Sequence, residues 1–213
     1  MGTLDMDLRT FIASLTNIEQ PKGPAVAYTP AHVIKALLTI DAEEAKGRIG
    51  LSKALGIGEG SVRTMIKKLT EKSVISVDSI GGCLLTPSGR SIVSELKAKL
   101  IASAQLDIKE LDIQEPSFAL QLRTDISKAP LTKLRDIAVK YGADGMVIFA
   151  INNGIVSFPK MTEDVSKTYP KLSMNLQSKF ELKDGDALLV GFSKHPGAAE
   201  LGTLEAALYL ISY

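Results

Sequence analysis

The run Leu51-Ser-Lys-Ala-Leu-Gly-Ile-Gly-Glu-Gly-Ser-Val-Arg-Thr-Met-Ile-Lys-Lys-Leu-Thr-Glu-Lys-Ser-Val-Ile75 decides the reading of the first half of this 213-residue chain. The turn Gly56-Ile-Gly-Glu59 splits it into a short helix, Ile49 to Leu55, and a second helix expected over 60–73. In that second helix Val62, Met65, Ile66 and Leu69 recur at helical spacing and form an inward stripe, which leaves Glu59, Ser61, Arg63, Thr64, Lys67 and Lys68 outward. Upstream, Thr29 as N-cap and Pro30 at the first helical position open a helix carrying Val33, Ile34, Leu37 and Leu38 and ending near Asp41. Downstream, Val74–Asp78 and Cys83–Thr86 alternate on either side of Ser79-Ile-Gly-Gly82 and read as a hairpin. Thr86-Pro87 repeats the start signal and opens a long helix with Ile92, Val93, Leu96, Leu100 and Ile101 at helical spacing, expected to reach about Ala104.

Ahead of this block, Leu4, Leu8, Phe11, Ile12 and Leu15 give an amphipathic helix, and Pro21-Lys-Gly-Pro24 breaks it. Residues 1–23 are therefore expected as an arm that packs on a neighbour, and with the helix from Pro87 they form the expected dimer interface. The chain is nearly neutral overall, with 25 basic against 24 acidic residues, but the charge is unevenly placed. Between residues 46 and 90 eight bases (Lys46, Arg48, Lys53, Arg63, Lys67, Lys68, Lys72 and Arg90) face three acids (Glu59, Glu71 and Asp78). From Asp107 onward 12 bases face 14 acids, so a polyanion-binding face belongs to the first half alone.

The order helix, helix, tight turn, helix, hairpin, helix, together with the 51–75 run and Leu85-Thr-Pro-Ser-Gly-Arg90, resembles winged helix-turn-helix transcription regulators. Where many members have Gly at the end of the recognition helix, this chain has Ser73. The resemblance implies a recognition helix whose N-terminal side chains read base edges in the major groove of double-stranded DNA. On that reading Ser61, Arg63 and Thr64 are the candidates for base contacts, and Lys53, Lys67 and Lys68 those for phosphates. The alternative, a solvated basic face serving protein contacts, stays open. The wing, Asp78 to Gly82, carries no Arg or Lys. Its glycines read as a turn requiring positive φ, with backbone amides that could approach a phosphate.

The second half mixes strands and helices. Phe118–Leu122 alternates as a strand, Leu131–Tyr141 is helical, and Gly142 suits its left-handed C-terminal position. Gly145–Ile151 and Ile155–Phe158 flank the hairpin turn Asn152-Asn-Gly154. Residues from about Thr162 to Leu176 are partly helical around Pro170, Asp184-Gly185 turns into the strand Ala187–Phe192, and Ala198–Ile211 closes the chain as a helix. The expected class is α+β: an N-terminal winged helix-turn-helix of three helices plus a hairpin wing, and a C-terminal domain with a mainly antiparallel sheet covered by helices on one face. The domain boundaries are read as 24–106, a linker over 107–115, and 116–213.

Within that second domain Leu134-Arg-Asp-Ile-Ala-Val-Lys-Tyr-Gly-Ala-Asp-Gly-Met-Val, a hairpin, Gly185-Asp-Ala-Leu-Leu-Val-Gly-Phe and Leu201-Gly-Thr-Leu-Glu-Ala-Ala-Leu resemble the insertion domain of bacterial aspartyl-tRNA synthetases. That domain, also found in the archaeal tRNA-dependent amidotransferase, is named for a Gly-Ala-Asp signature matched here by Gly142, Ala143 and Asp144. The whole arrangement resembles a group of archaeal winged-helix proteins whose C-terminal domain has no assigned function.

Other chemistry is read more plainly. Cys83 stands alone, and His32 and His195 lie far apart, so neither a disulfide nor a zinc site is expected. Gly56-Ile-Gly-Glu-Gly-Ser61 lacks the strand before it and the Gly-Lys-Ser/Thr ending of a phosphate loop. Asp144, Asp184 and Asp186 sit beside glycines where turns favour Asp in any case. No metal, no cofactor and no catalytic residue is expected. No apolar run approaches the roughly 18 residues of a membrane span, and a cytoplasmic location is expected.

The expected function is a DNA-binding transcriptional regulator acting as a homodimer, with a small-molecule effector or assembly role for the C-terminal domain. A second reading is an RNA- or translation-linked adaptor whose C-terminal domain contacts tRNA or protein. An enzyme with an accessory winged helix, as in archaeal CTP-dependent riboflavin kinases, is a third, for which residues 107–213 supply no nucleotide loop, nucleophile or convergent carboxylates.

Overall fold

A computed structural model of the protein describes residues 6–16, 27–78, 82–161 and 163–213. Leu4, the Pro21–Pro24 break and the wing tip at 79–81 lie outside the described residues. The chain divides into two compact units between Lys97 and Ala98.

The first unit contains α1 (Leu8–Thr16), α2 (Pro30–Ala42), α3 (Arg48–Leu55), α4 (Glu59–Glu71), the antiparallel hairpin β1 (Ile75–Asp78) and β2 (Gly82–Leu85), and α5 (Pro87–Lys99), which crosses the division. At the start of α2, Thr29 N–H donates to Nδ1 of His32, a histidine in the role usually held by Glu or Gln in a capping box. Gly56, at φ +66°, ends α3. A third extended segment joins the hairpin: Lys46 and Cys83 exchange backbone hydrogen bonds of 3.1 and 3.0 Å. Of the arm expected over 1–23, the described part, α1, does not pack on a neighbour but within its own unit. Leu8, Phe11, Ile12 and Leu15 are buried within the unit, α1 packs on α2, and Leu8 N–H donates to Glu95 of α5. Ile92, Val93 and Leu96 of α5 are buried as well, so the apolar faces expected to form a dimer interface are spent inside one chain.

The helix from Pro87 stops at Lys99 and does not reach Ala104. Leu100–Gln105 is a strand, β3, paired antiparallel with β4 (Ser117–Arg123). Leu100 and Ile101 fit a helical stripe and a strand equally well by spacing, and the open edge of β4 decides between them. The first unit therefore ends nearer 97 than 106, and residues 107–115 are no linker. Ile108 is fully buried, and a 3-10 turn at Lys109–Leu111 belongs to the core of the second unit.

The rest of the second unit follows as α6 (Leu131–Lys140), β5 (Gly145–Asn152), β6 (Ile155–Ser157), α7 (Val165–Thr168), α8 (Pro170–Lys179), β7 (Asp186–Phe192) and α9 (Pro196–Ser212). The strands form one antiparallel sheet in the order β3-β4-β7-β5-β6. Helices on one face were expected; they lie on both. α9 packs on β4 and β7 beside α6. On the other face Val165, Leu172, Leu176 and Phe180 close over Ala119, Phe149, Ile151, Leu188 and Val190. Proline 170 opens α8 rather than interrupting a helix.

Two polar features are built into this frame. Ser73 holds φ +56° at the end of α4, with Ser73 N–H bonded to Thr70 O and Val74 N–H to Leu69 O, a left-handed cap made by a residue with a Cβ. Buried Asp186, 2% exposed, accepts from Gln121 Nε2 at 2.6 Å and Lys183 N–H at 3.0 Å and pairs with Arg123 at 3.4 Å. Two outcomes are expected. Ser73→Gly relieves the left-handed strain and raises stability by about 0.5–1 kcal/mol, read as a rise in thermal midpoint. Asp186→Ala strands three donors, one of them half in solvent, and lowers stability by about 2–4 kcal/mol in a denaturant melt.

Candidate nucleic-acid interface

Helix α4 has two obligations. Val62, Met65 and Leu69 are buried to 2% or less and anchor it against α3 and β1, while Ile66 is only half-buried. A 100° step per residue then places Gly60, Arg63, Thr64, Lys67 and Glu71 opposite the core, and Arg63, Thr64 and Lys67 are all exposed.

The six candidate residues are not brought to one line. Arg63 and Lys67 lie four apart on the outermost row with Thr64 beside them. Ser61 and Lys68 are half-buried on the flank, where Lys68 lies over an apolar slot lined by Ser14, Leu15, Tyr28 and Val33. Lys53 is exposed on α3, the helix before the turn. Thr64 Oγ1 donates back to Gly60 O at 3.1 Å, which leaves its lone pairs and methyl group outward.

Ion pairing divides the cations further. Arg48 pairs with Glu59 at 3.2 Å, Lys67 with Glu71 at 3.9 Å, and Lys46 with Glu43. Arg90 donates to Leu85 O at 2.9 Å and serves the fold. Among the described residues Lys53, Arg63, Lys68 and Lys72 have no ion-pair partner. The Lys67–Glu71 pair is long and exposed and is worth little, so Lys67 can exchange it for a phosphate. The Arg48–Glu59 pair was not legible in the sequence because it joins the starts of two different helices.

The remaining sequence candidates take structural roles. Asp184 accepts Gly154 N–H at 2.7 Å in the hairpin turn, and Asp144 accepts Lys194 N–H at 2.8 Å. With Asp186 committed to Gln121 and Arg123, the three carboxylates do not converge. Gly142 takes φ +103° and Ala143 is buried, so the Gly-Ala-Asp triplet turns α6 into β5. His195 caps α9. Among the described residues no group of three metal-ligating side chains comes together, and no helix is long and apolar enough to cross a membrane.

The second unit offers a cavity of about 370 Å³ lined by Phe158, Met161, Glu163, Val165 and Tyr169, within the range of small-molecule sites. Phe158 and Tyr169 meet edge to face there, with centroids 6.2 Å apart. A smaller hollow of about 90 Å³ lies at the end of the sheet between Ser127, Ser157 and Lys160.

Comparison with known proteins follows the same division. Residues 33–91 match the family model described as PH0730-like, N-terminal domain, and residues 114–210 match that of a domain of unknown function, DUF4443. The chain is similar to the solved structure of hypothetical protein PH0730 from Pyrococcus horikoshii OT3, with a TM-score of 0.62 and 24% identity over 83% of this chain and 91% of that one. That likeness is one of fold, and with the two family matches it fits the archaeal grouping implied by the sequence. No curated protein matches the chain.

Cys83 is 2% exposed and burial pushes its thiol above the ordinary value, which keeps it protonated at neutral pH. Alkylation by iodoacetamide followed by mass spectrometry is expected to leave the native protein unmodified at pH 8 and to label it fully in denaturant.

Proposed function

We propose that the first unit is a winged helix-turn-helix that binds duplex DNA with α4 in the major groove, and that the protein is a homodimeric transcriptional regulator. The observation that carries this reading is the exposed row Arg63–Lys67 on a helix whose opposite stripe is fully buried. A helix in which three core residues fix the orientation presents its outer face rigidly, as base readout requires. Arg63 and Thr64 read base edges, with Ser61 at the rim of the groove. Lys67 and Lys53 hold phosphates on either side, and Lys68 does so from the flank, its stem packed on the apolar slot.

Two further points support the reading. The cation-rich segment is confined to residues 46–90, so its attraction for a polyanion has a definite location. The hairpin is stiffened by the Lys46–Cys83 bridge, and close approach of Gly82 to Gly47, where an added Cβ would come within 2.9 Å of the Gly47 nitrogen, packs it tightly beside α3. The second unit, with its cavity lined by Phe158 and Tyr169, takes an effector.

Selection of binding sites from randomised duplex DNA, followed by fluorescence anisotropy on the winning sequence at several salt concentrations, tests this. Arg63→Ala is expected to cost about 1–3 kcal/mol and to relax preference at one base position. Lys67→Ala is expected to weaken all sequences alike and to lower the salt slope by about one. Both side chains are exposed, so both variants should melt as the parent does. Motif-free binding that both variants retain, or displacement of duplex DNA by tRNA at equal concentration, overturns the reading.

A further inference from the structure

Helix α4 begins almost bare. Its N-cap is Gly58, its second residue is Gly60, and a Cβ added at either would meet nothing within 4 Å. Glu59 stands exposed between them, and with Val62 buried it is the only long side chain that the first turn, Glu59-Gly-Ser-Val62, turns outward. It also heads the outer row, since steps of four residues run from Glu59 through Arg63 to Lys67. Glu59 and Arg63 have the spacing of a helical ion pair, yet the carboxylate is held elsewhere. Arg48 Nε, at the start of α3, stands 3.2 Å from Glu59 Oε2, and the Glu59 side chain keeps 49% of its surface exposed in that pair. A half-open carboxylate is thus fixed at the tip of the helix, and Arg63 is left to the groove.

A carboxylate brought up to a polyanion is repelled. An acid in the first turn does favour the helix polarity, which accounts for Glu59 itself but neither for two flanking residues without side chains nor for a guanidinium fixed beside it. Resting on the proposed placement of α4 in the major groove, we infer that Glu59 is a base-reading residue and that it selects cytosine. In that groove guanine presents two acceptors, thymine an acceptor and a methyl group, adenine a donor beside an acceptor, and cytosine its N4 amino donor alone. An ionised carboxylate only accepts, so cytosine matches it and N7 and O6 of guanine oppose it. Arg48 carries a compensating charge against the phosphates, and the two glycines let the end of the helix come close to the bases. The half-site then holds a cytosine where it faces the helix start, while Arg63, one turn along, reads a position of its own.

Selection from randomised duplex DNA, run in parallel on the full chain as wild type, Glu59→Gln, Glu59→Ala and Arg48→Ala, tests this. One position of the wild-type motif is expected to favour cytosine by at least about fivefold. Glu59→Gln, whose amide both donates and accepts, is expected to move that position to adenine, and Glu59→Ala to level it, each leaving the other positions as they are. Arg48→Ala frees Glu59 to meet Arg63 and is expected to blur the positions of both. The Arg48–Glu59 pair is exposed and worth little to the fold, so both Glu59 variants are expected to melt as the parent does. A wild-type motif that Glu59→Ala leaves unaltered, or a Glu59→Ala protein that melts earlier and weakens every position alike, overturns the inference and leaves the DNA reading standing. A wild type that selects no motif overturns both.

Discussion

Strand β7 is buried on both faces, and most of the second unit follows from that. Ala187, Leu188, Leu189 and Val190 have essentially no exposure, and a strand that alternates apolar residues to both sides needs an apolar layer above and below it. At about 1.5–3 kcal/mol for each large side chain removed from water, leaving one face open would forfeit several such contributions. The two layers are unlike. On one face α9 lies so close that a Cβ on Gly191 would come within 2.2 Å of Thr203 Oγ1, and α6 approaches α9 through Gly202, where a Cβ would stand 2.5 Å from Ala138 O. On the other face short pieces, the 3-10 turn and α7 and α8, assemble a cover from Ile108, Val165, Leu172 and Leu176.

A strand buried on both sides also carries its polar end residue inward, and Asp186 is that residue. Its carboxylate is tolerable because Gln121, Lys183 N–H and Arg123 surround it. The arrangement is not fully satisfied: Gln121 Oε1 is buried and finds no partner among the described residues. The cost falls near the end of β4, where Gln121 stands opposite Ala102 of the edge strand β3.

The first unit obeys the same rule on a smaller scale. Once Val62, Met65 and Leu69 are committed inward, the directions of Arg63, Thr64 and Lys67 are fixed by helix geometry. The cations seen in the sequence are then sorted by their neighbours. Arg48 is answered by Glu59 and Arg90 by a carbonyl, whereas Arg63 has no ion-pair partner among the described residues. A basic segment is thus reduced to a narrower basic row, and it is the row that gives the surface a direction.

Periodicity and turn chemistry determined much of this protein. The inward stripe of α4, the Asn152-Asn153-Gly154 hairpin with its positive φ at the last two residues, Gly142 after α6 and the α+β class are all local facts of the chain, because the 3.6 and 2.0 periods and the left-handed residues are set by backbone sterics. Of the candidate interface, the exposure of Arg63, Thr64 and Lys67 was legible for the same reason, while the flanking position of Lys68 and the pairing of Arg48 with Glu59 were not. Only the tertiary structure decided that Leu100–Gln105 is a strand, that residues 107–115 belong to a core, that α1 packs at home and that the sheet is covered twice. In each of those cases the local pattern admitted two answers, and the choice depended on a partner distant in sequence: the open edge of β4, the apolar far face of β7, or the surface of α2 and α5.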